Sequence, residues 1–114
     1  MNNKEIGNLG EEIAKNYLIS KNIAIINTNY RIRSGEIDII GCENNELIFI
    51  EVKSRNTLKY GMPSESITKS KINKIKNTAK YYLYKNKVIN KSIRFDVIEV
   101  YLNENKINHI VNAF

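Results

Sequence analysis

The chain has 114 residues, 42% of them hydrophobic, with 18 Lys and Arg against 12 Asp and Glu for a formal net charge of +6. That length fits one domain built on a single sheet with a helix or two, and the apolar content argues against disorder. The one cysteine, Cys42, excludes an intrachain disulfide and a cysteine-based zinc cluster, while the basic balance points either to a polyanion such as nucleic acid or to a solvated lysine surface.

Met1-Asn2-Asn3-Lys4-Glu5 lacks the apolar core of a signal peptide, and no apolar run approaches membrane-spanning length. A cytoplasmic protein without a membrane partner is expected. Residues 4–21 read as a helix, with Ile6, Leu9, Ile13, Ala14, Tyr17 and Leu18 at helical spacing on one face. Gly7 and Gly10 weaken it, and either permit close approach of another backbone or delay its start. Residues 23–32 and 36–42 are β-rich, and Ser34-Gly35 between them reads as a hairpin turn. A third strand spans 46–55, entered through an Asn44-Asn45 turn. Cys42, in an apolar run, is expected to be a buried small hydrophobe.

Residues 56–64, with Gly61 and Pro63, read as a loop. A long helix is expected over 66–86, with Ile67, Ile72, Ile75, Ala79, Tyr82 and Leu83 as its apolar stripe and lysines on its other faces. Strands follow at 92–102 and 106–112. The order αβββαβ(β) predicts an α/β fold: an antiparallel meander, then a helical crossover to a parallel strand in a mixed sheet.

Chemistry concentrates in Gly35-Glu36-Ile37-Asp38 and Glu51-Val52-Lys53-Ser54-Arg55. Side chains two apart on a strand share a face, so Glu51 and Lys53 point one way and Ile50 and Val52 the other. A hairpin can bring Asp38, on the adjacent strand, close to Glu51. Such charges either pair with one another at a solvated strand end, or form an oxygen-rich site for Mg2+ or Mn2+ with a lysine beside it. Glu36 is expected to pair with Arg31 or Arg33. Arg31, Arg33 and Arg55 are candidate phosphate contacts or ordinary cross-strand partners of Glu36 and Glu46. The lysines of the long helix, Lys71 among them, follow a duplex backbone or simply wet that helix. Asp96 is expected to bond to nearby backbone or a lysine, and the lone His109 to be structural.

Asp38 followed by Glu51-Val52-Lys53 resembles the D…(D/E)XK signature of the PD-(D/E)XK nuclease superfamily, and the element order matches its restriction-endonuclease-like core. Gly7-Asn8-Leu9-Gly10-Glu11-Glu12-Ile13-Ala14, Asn29-Tyr30-Arg31, Gly35-Glu36-Ile37-Asp38, Ile50-Glu51-Val52-Lys53-Ser54-Arg55 and Arg94-Phe95-Asp96-Val97 resemble the YraN-type family of bacterial proteins over nearly the whole chain. That family is similar in arrangement to archaeal Holliday-junction resolvases. The resemblance implies Asp38 and Glu51 as ligands of Mg2+ or Mn2+, joined by the Val52 backbone carbonyl, and Lys53 as the catalytic lysine. It casts Glu11 as a helical acid supporting the metal; the other reading of Glu11 is a carboxylate favoured by the helix dipole. Ile37 stands where the superfamily signature has proline. A DNA endonuclease is therefore expected, with a homodimer implied by the likeness to the resolvases; the alternative is a non-catalytic nucleic-acid-binding or interaction module that retains the fold.

Overall fold

The computed structural model describes residues 1–56 and 67–114. The loop expected around Gly61 and Pro63 lies outside the described residues. The first helix, α1, is Asn3–Ser20, and β1 (Ala24–Ile32), β2 (Gly35–Glu43) and β3 (Glu46–Arg55) follow it. The second helix, α2, is Lys69–Lys85, and β4 (Ser92–Tyr101) and β5 (Lys106–Ile110) complete the chain. The strands form one sheet in the order β1-β2-β3-β4-β5. Pairing is antiparallel except between β3 and β4, which run parallel across the α2 crossover. The fold is α/β, consistent with a restriction-endonuclease-like core.

Local chemistry sets the boundaries. Asn2 caps α1 in a capping box, its side chain accepting from Glu5 N while the Glu5 carboxylate accepts from Asn2 N. Thr68 caps α2 by accepting from Lys71 N at 3.1 Å. Asparagine supplies nearly all the left-handed backbone that ends these elements, including Asn22, Asn44, Asn45 and Asn105. Asn44 and Asn45, with φ of 48° and 65°, make the expected turn into β3.

Each face of the sheet carries a helix. Ala14 and Leu18 of α1 pack on Ile39, Ile48, Ile50, Ile98 and Val100. Ile75, Ala79 and Tyr82 of α2 pack on Ile37, Ile40, Leu47 and Phe49. Full burial of each isoleucine contributes roughly 1.5–3 kcal/mol.

Four details depart from the sequence reading. Leu9 is 41% exposed, and the buried stripe of α1 runs instead through Gly10, Ala14 and Leu18. A Cβ on Gly10 would stand 2.7 Å from Ser54 Cβ, so this glycine lets α1 settle against β3. The hairpin turn is Arg33-Ser34, while Gly35 opens β2 and pairs with Ile32. A Cβ on Gly35 would meet Thr78 Oγ1 at 2.5 Å and Lys74 O at 3.2 Å, so packing against α2 selects the glycine. Thr78 joins the buried face of α2 because its hydroxyl donates to Lys74 O at 2.8 Å. Cys42 is only partly buried.

A buried polar cluster fastens β5 and α1 to the sheet. Asp96, fully buried, accepts from Arg94 Nε at 3.1 Å and Asn112 N at 3.1 Å, and its Oδ2 lies 2.8 Å from His109 Nε2. With the proton on Nε2, Nδ1 of His109 accepts from the Tyr17 hydroxyl at 3.1 Å. His109 is thus structural, and Asp96 pairs with arginine, histidine and backbone instead of lysine.

Candidate metal centre

Asp38 sits where two strands turn over together. Ile37 and Ile40 belong to the α2 side and Ile39 to the α1 side, so the two-residue alternation breaks between Ile37 and Ile39. On the neighbouring strand Asn29 adopts φ 52° between Thr28 and Tyr30, which pair with Ile39 and Ile37. The β2–β3 ladder reaches only to Ile39↔Ile50. Beyond it the Val52 amide donates to Asp38 Oδ2 at 2.8 Å. One bond thus ties the end of the ladder to the carboxylate.

Glu51 and Lys53 project from the same face of β3, as their spacing predicts. Glu51 is only 7% exposed. Its Oε1 lies 3.0 Å from Lys71 Nζ on α2 and 3.9 Å from Lys53 Nζ. Asp38, Glu51, Val52, Lys53 and Lys71, with Glu11 and Arg55 at the margin, line an open cleft of about 600 Å³. Its walls are the N-terminal turns of α1 and α2.

The charges in the cleft perturb one another. Burial first, then the nearby Glu51 carboxylate, push the Asp38 carboxyl up to about 8, against the pull of the Val52 amide. Burial and the Lys71 ammonium bring Lys53 down to about 8. Burial opposes the charge on Lys71, but Lys53 and Glu51 outweigh it and raise its pKa. A crowded pair of acids therefore draws positive charge, and a lysine lying against Glu51 supplies it.

The donor set fits a hard divalent cation. Both side-chain donors are carboxylates, the Val52 backbone stands between them, and the cleft is open to water. Mg2+ is commonly held by one or two carboxylates plus water and substrate phosphate. Among the described residues no group of three or more His, Cys, Asp or Glu is arranged to hold a metal. Glu11 accordingly stands apart, its Oε1 accepting from Asn29 Nδ2 at 2.8 Å.

The remaining candidates spread outward. Arg31 binds Glu36 through Nε at 3.0 Å and Nη2 at 2.7 Å, the pairing expected for Glu36. Arg33 is exposed on the β1–β2 turn. Exposed Arg55 donates to Ser54 O and borders the cleft. Lys71, read as a backbone-following lysine, is drawn into the cleft itself. Asn29, named in the sequence only within the Asn29-Tyr30-Arg31 motif and given no role there, links Glu11 to the Asp38 turn-over.

No described helix is long and apolar enough to cross a membrane. The model of a family described as uncharacterised protein family UPF0102 matches residues 10–100. A UPF0102 protein of Clostridioides difficile is 56% identical over 114 residues, covering all of both chains. One from Clostridium novyi is 50% identical over 116 residues, covering 98% of this chain and 97% of its own. One from Caldicellulosiruptor saccharolyticus is 45% identical over 118 residues, covering both chains fully. With the family model matching most of its length and these relatives matching it end to end, the chain belongs to the UPF0102, or YraN-type, family.

Proposed function

We propose that this chain is a metal-dependent endonuclease that hydrolyses DNA phosphodiester bonds, on branched or damaged DNA. The observation that carries the reading is the convergence of Asp38, Glu51 and Lys53 on one cleft, where the Lys71 ammonium lies 3.0 Å from Glu51 Oε1. Asp38, Glu51 and the Val52 carbonyl would hold Mg2+ or Mn2+, with Glu11 acting at the margin. When bound, the cation supplies Lewis-acid polarisation of the phosphate and acidifies a water. Lys53, with its pKa near 8, can exchange a proton at Nζ near neutral pH and orient the attacking water. Lys71 and Arg55 offer positive charge to the phosphate as negative charge develops on it. Arg31 and Arg33 lie farther out as contacts to the DNA backbone. A homodimer would present two such clefts to one branched substrate.

The test is cleavage of junction, flap and duplex DNA with Mg2+ or Mn2+, beside Asp38→Asn and Glu51→Gln proteins. Metal-dependent cutting lost in both variants supports the reading. Equal cutting by wild type and variants would identify a contaminant and refute it. A non-catalytic binding module is the second reading, favoured by the lack of a three-acid group among the described residues. Its mark is DNA binding with no Mn2+-induced rise in melting temperature.

A further inference from the structure

A second hollow, of about 500 Å³, lies between edge strand β1 and the C-terminal half of α2. We propose that it holds an unpaired DNA strand leaving the cleft, with a base stacked on Tyr81 and phosphates on Arg31, Arg33 and Lys85. The proposal takes its DNA partner from the nuclease reading and adds the form of the substrate: a duplex with a single-stranded extension.

Three observations carry it. The first is the lining. Tyr30 and Tyr82 meet edge to face at 5.2 Å, and Tyr81 beside them is 41% exposed. Tyrosine faces of this kind accept any base by stacking. The second is charge. Arg31 and Lys85 line the hollow, and no described lining residue is a carboxylate. Arg31 is 72% exposed, and its pairing with Glu36 engages two of its five N–H donors. The Lys85 ammonium already lies over the Tyr81 ring, 6.0 Å from its centre, so a cation accompanies one face of the stacking ring.

The third observation is continuity with the cleft. Lys71 and Lys74 line a hollow together with Gly35 and the Glu36, Asp38 and Glu51 carboxylates. The exposed Arg33-Ser34 turn separates that hollow from the tyrosine groove, which begins at Ile32. From Lys74 to Lys85 the helix rises about 16 Å, eleven residues at 1.5 Å each. A strand crossing the turn would meet Lys74, Arg33 and then Lys85, a basic track that ends on an aromatic face.

An extended peptide added to the free edge of β1 fits less well. The register slips between Ile25 and Asn27, and Asn29 adopts a φ of 52°, so the row of edge hydrogen-bonding groups is interrupted.

The experiment is fluorescence anisotropy in EDTA, so that binding is read without cleavage. A blunt hairpin duplex is compared with the same duplex carrying an oligothymidine tail. Wild type is expected to bind the tailed duplex about tenfold tighter, the scale of one stacked base. Tyr81→Ala should remove most of that gain and leave the blunt-duplex affinity unchanged, whereas Tyr81→Phe should keep it. An abasic tail should retain only the phosphate contribution. A tail that gives no gain, or a gain untouched by Tyr81→Ala, overturns the proposal. Protein that holds the tail but never cuts with Mg2+ overturns the nuclease reading alone. Protein that cuts yet ignores the tail overturns the groove alone, and failure to bind either DNA overturns both.

Discussion

Asp38→Asn should make the metal-free protein more stable at pH 8, although it removes a residue central to the cleft. The carboxyl titrates at about 8 in the folded chain, against 3.8 for an ordinary aspartate, because burial and Glu51 oppose its charge. The folded state therefore keeps a proton that the unfolded chain releases. Stability conferred by that retained proton has the opposite sign to the usual aspartate case: unfolding becomes easier as pH rises from about 4 to 8. At 1.36 kcal/mol per pH unit the ceiling is about 6 kcal/mol. Water in the open cleft and the neighbouring ammonium of Lys71 screen most of it, leaving about 1–2 kcal/mol. Asparagine keeps an acceptor for the Val52 amide, so the bond holding β2 to β3 survives the substitution. Urea unfolding in EDTA at pH 5 and pH 8 reads the effect. The variant should exceed wild type by about 1–2 kcal/mol at pH 8 and much less at pH 5. A variant weaker than wild type at pH 8, or one with the same pH slope, would refute the electrostatic reasoning.

Three further outcomes are expected. Gly10→Ala drives a methyl group into Ser54 and should cost about 1–3 kcal/mol in urea unfolding, whereas Gly7→Ala, which meets nothing within 4 Å, should cost little. Asp96→Ala leaves Arg94 Nε, His109 Nε2 and the Asn112 amide without their buried acceptor, while Glu46 still holds Arg94 Nη1, and should cost about 3 kcal/mol. Burial alone would raise the Asp96 pKa, but the hydrogen bonds from His109 and Arg94 outweigh it and hold the carboxyl below 3.8. Its contribution is therefore present above that pH and fades below it, so acid unfolding followed by circular dichroism should begin at higher pH in the Asp96→Asn protein. Lys71→Gln removes the competitor for Glu51 Oε1 and should tighten Mn2+ binding several-fold by calorimetry; weaker binding would mean that Lys71 supports the cation.

What could be read from sequence was what strand periodicity and turn chemistry determine. Glu51 and Lys53 share a face because β3 alternates regularly through them, and the Asn44-Asn45 turn set the β2–β3 pairing that brings Asp38 near. Two kinds of feature escaped. Backbone irregularity was one: the turn-over at Asp38 depends on Asn29 adopting a left-handed conformation on the adjacent strand, and nothing in the sequence separates it from Asn27, which does not. Contacts across long sequence separations were the other. Lys71 reaches Glu51 from a different element, and His109 reaches Asp96 from the next strand. Gly10 read as a weakness of α1 because its role exists only once Ser54 is packed against it. Leu9 and Gly10 are sequence neighbours, and hydrophobicity favoured the wrong one for the buried stripe.

The proposed chemistry requires Asp38 and Glu51 to share a divalent cation. Anomalous diffraction from crystals soaked in Mn2+ would locate that cation. A peak within bonding distance of both carboxylates, with the Lys71 ammonium withdrawn from Glu51, is the predicted result. No peak in the cleft at millimolar Mn2+, or one that touches neither carboxylate, would contradict it.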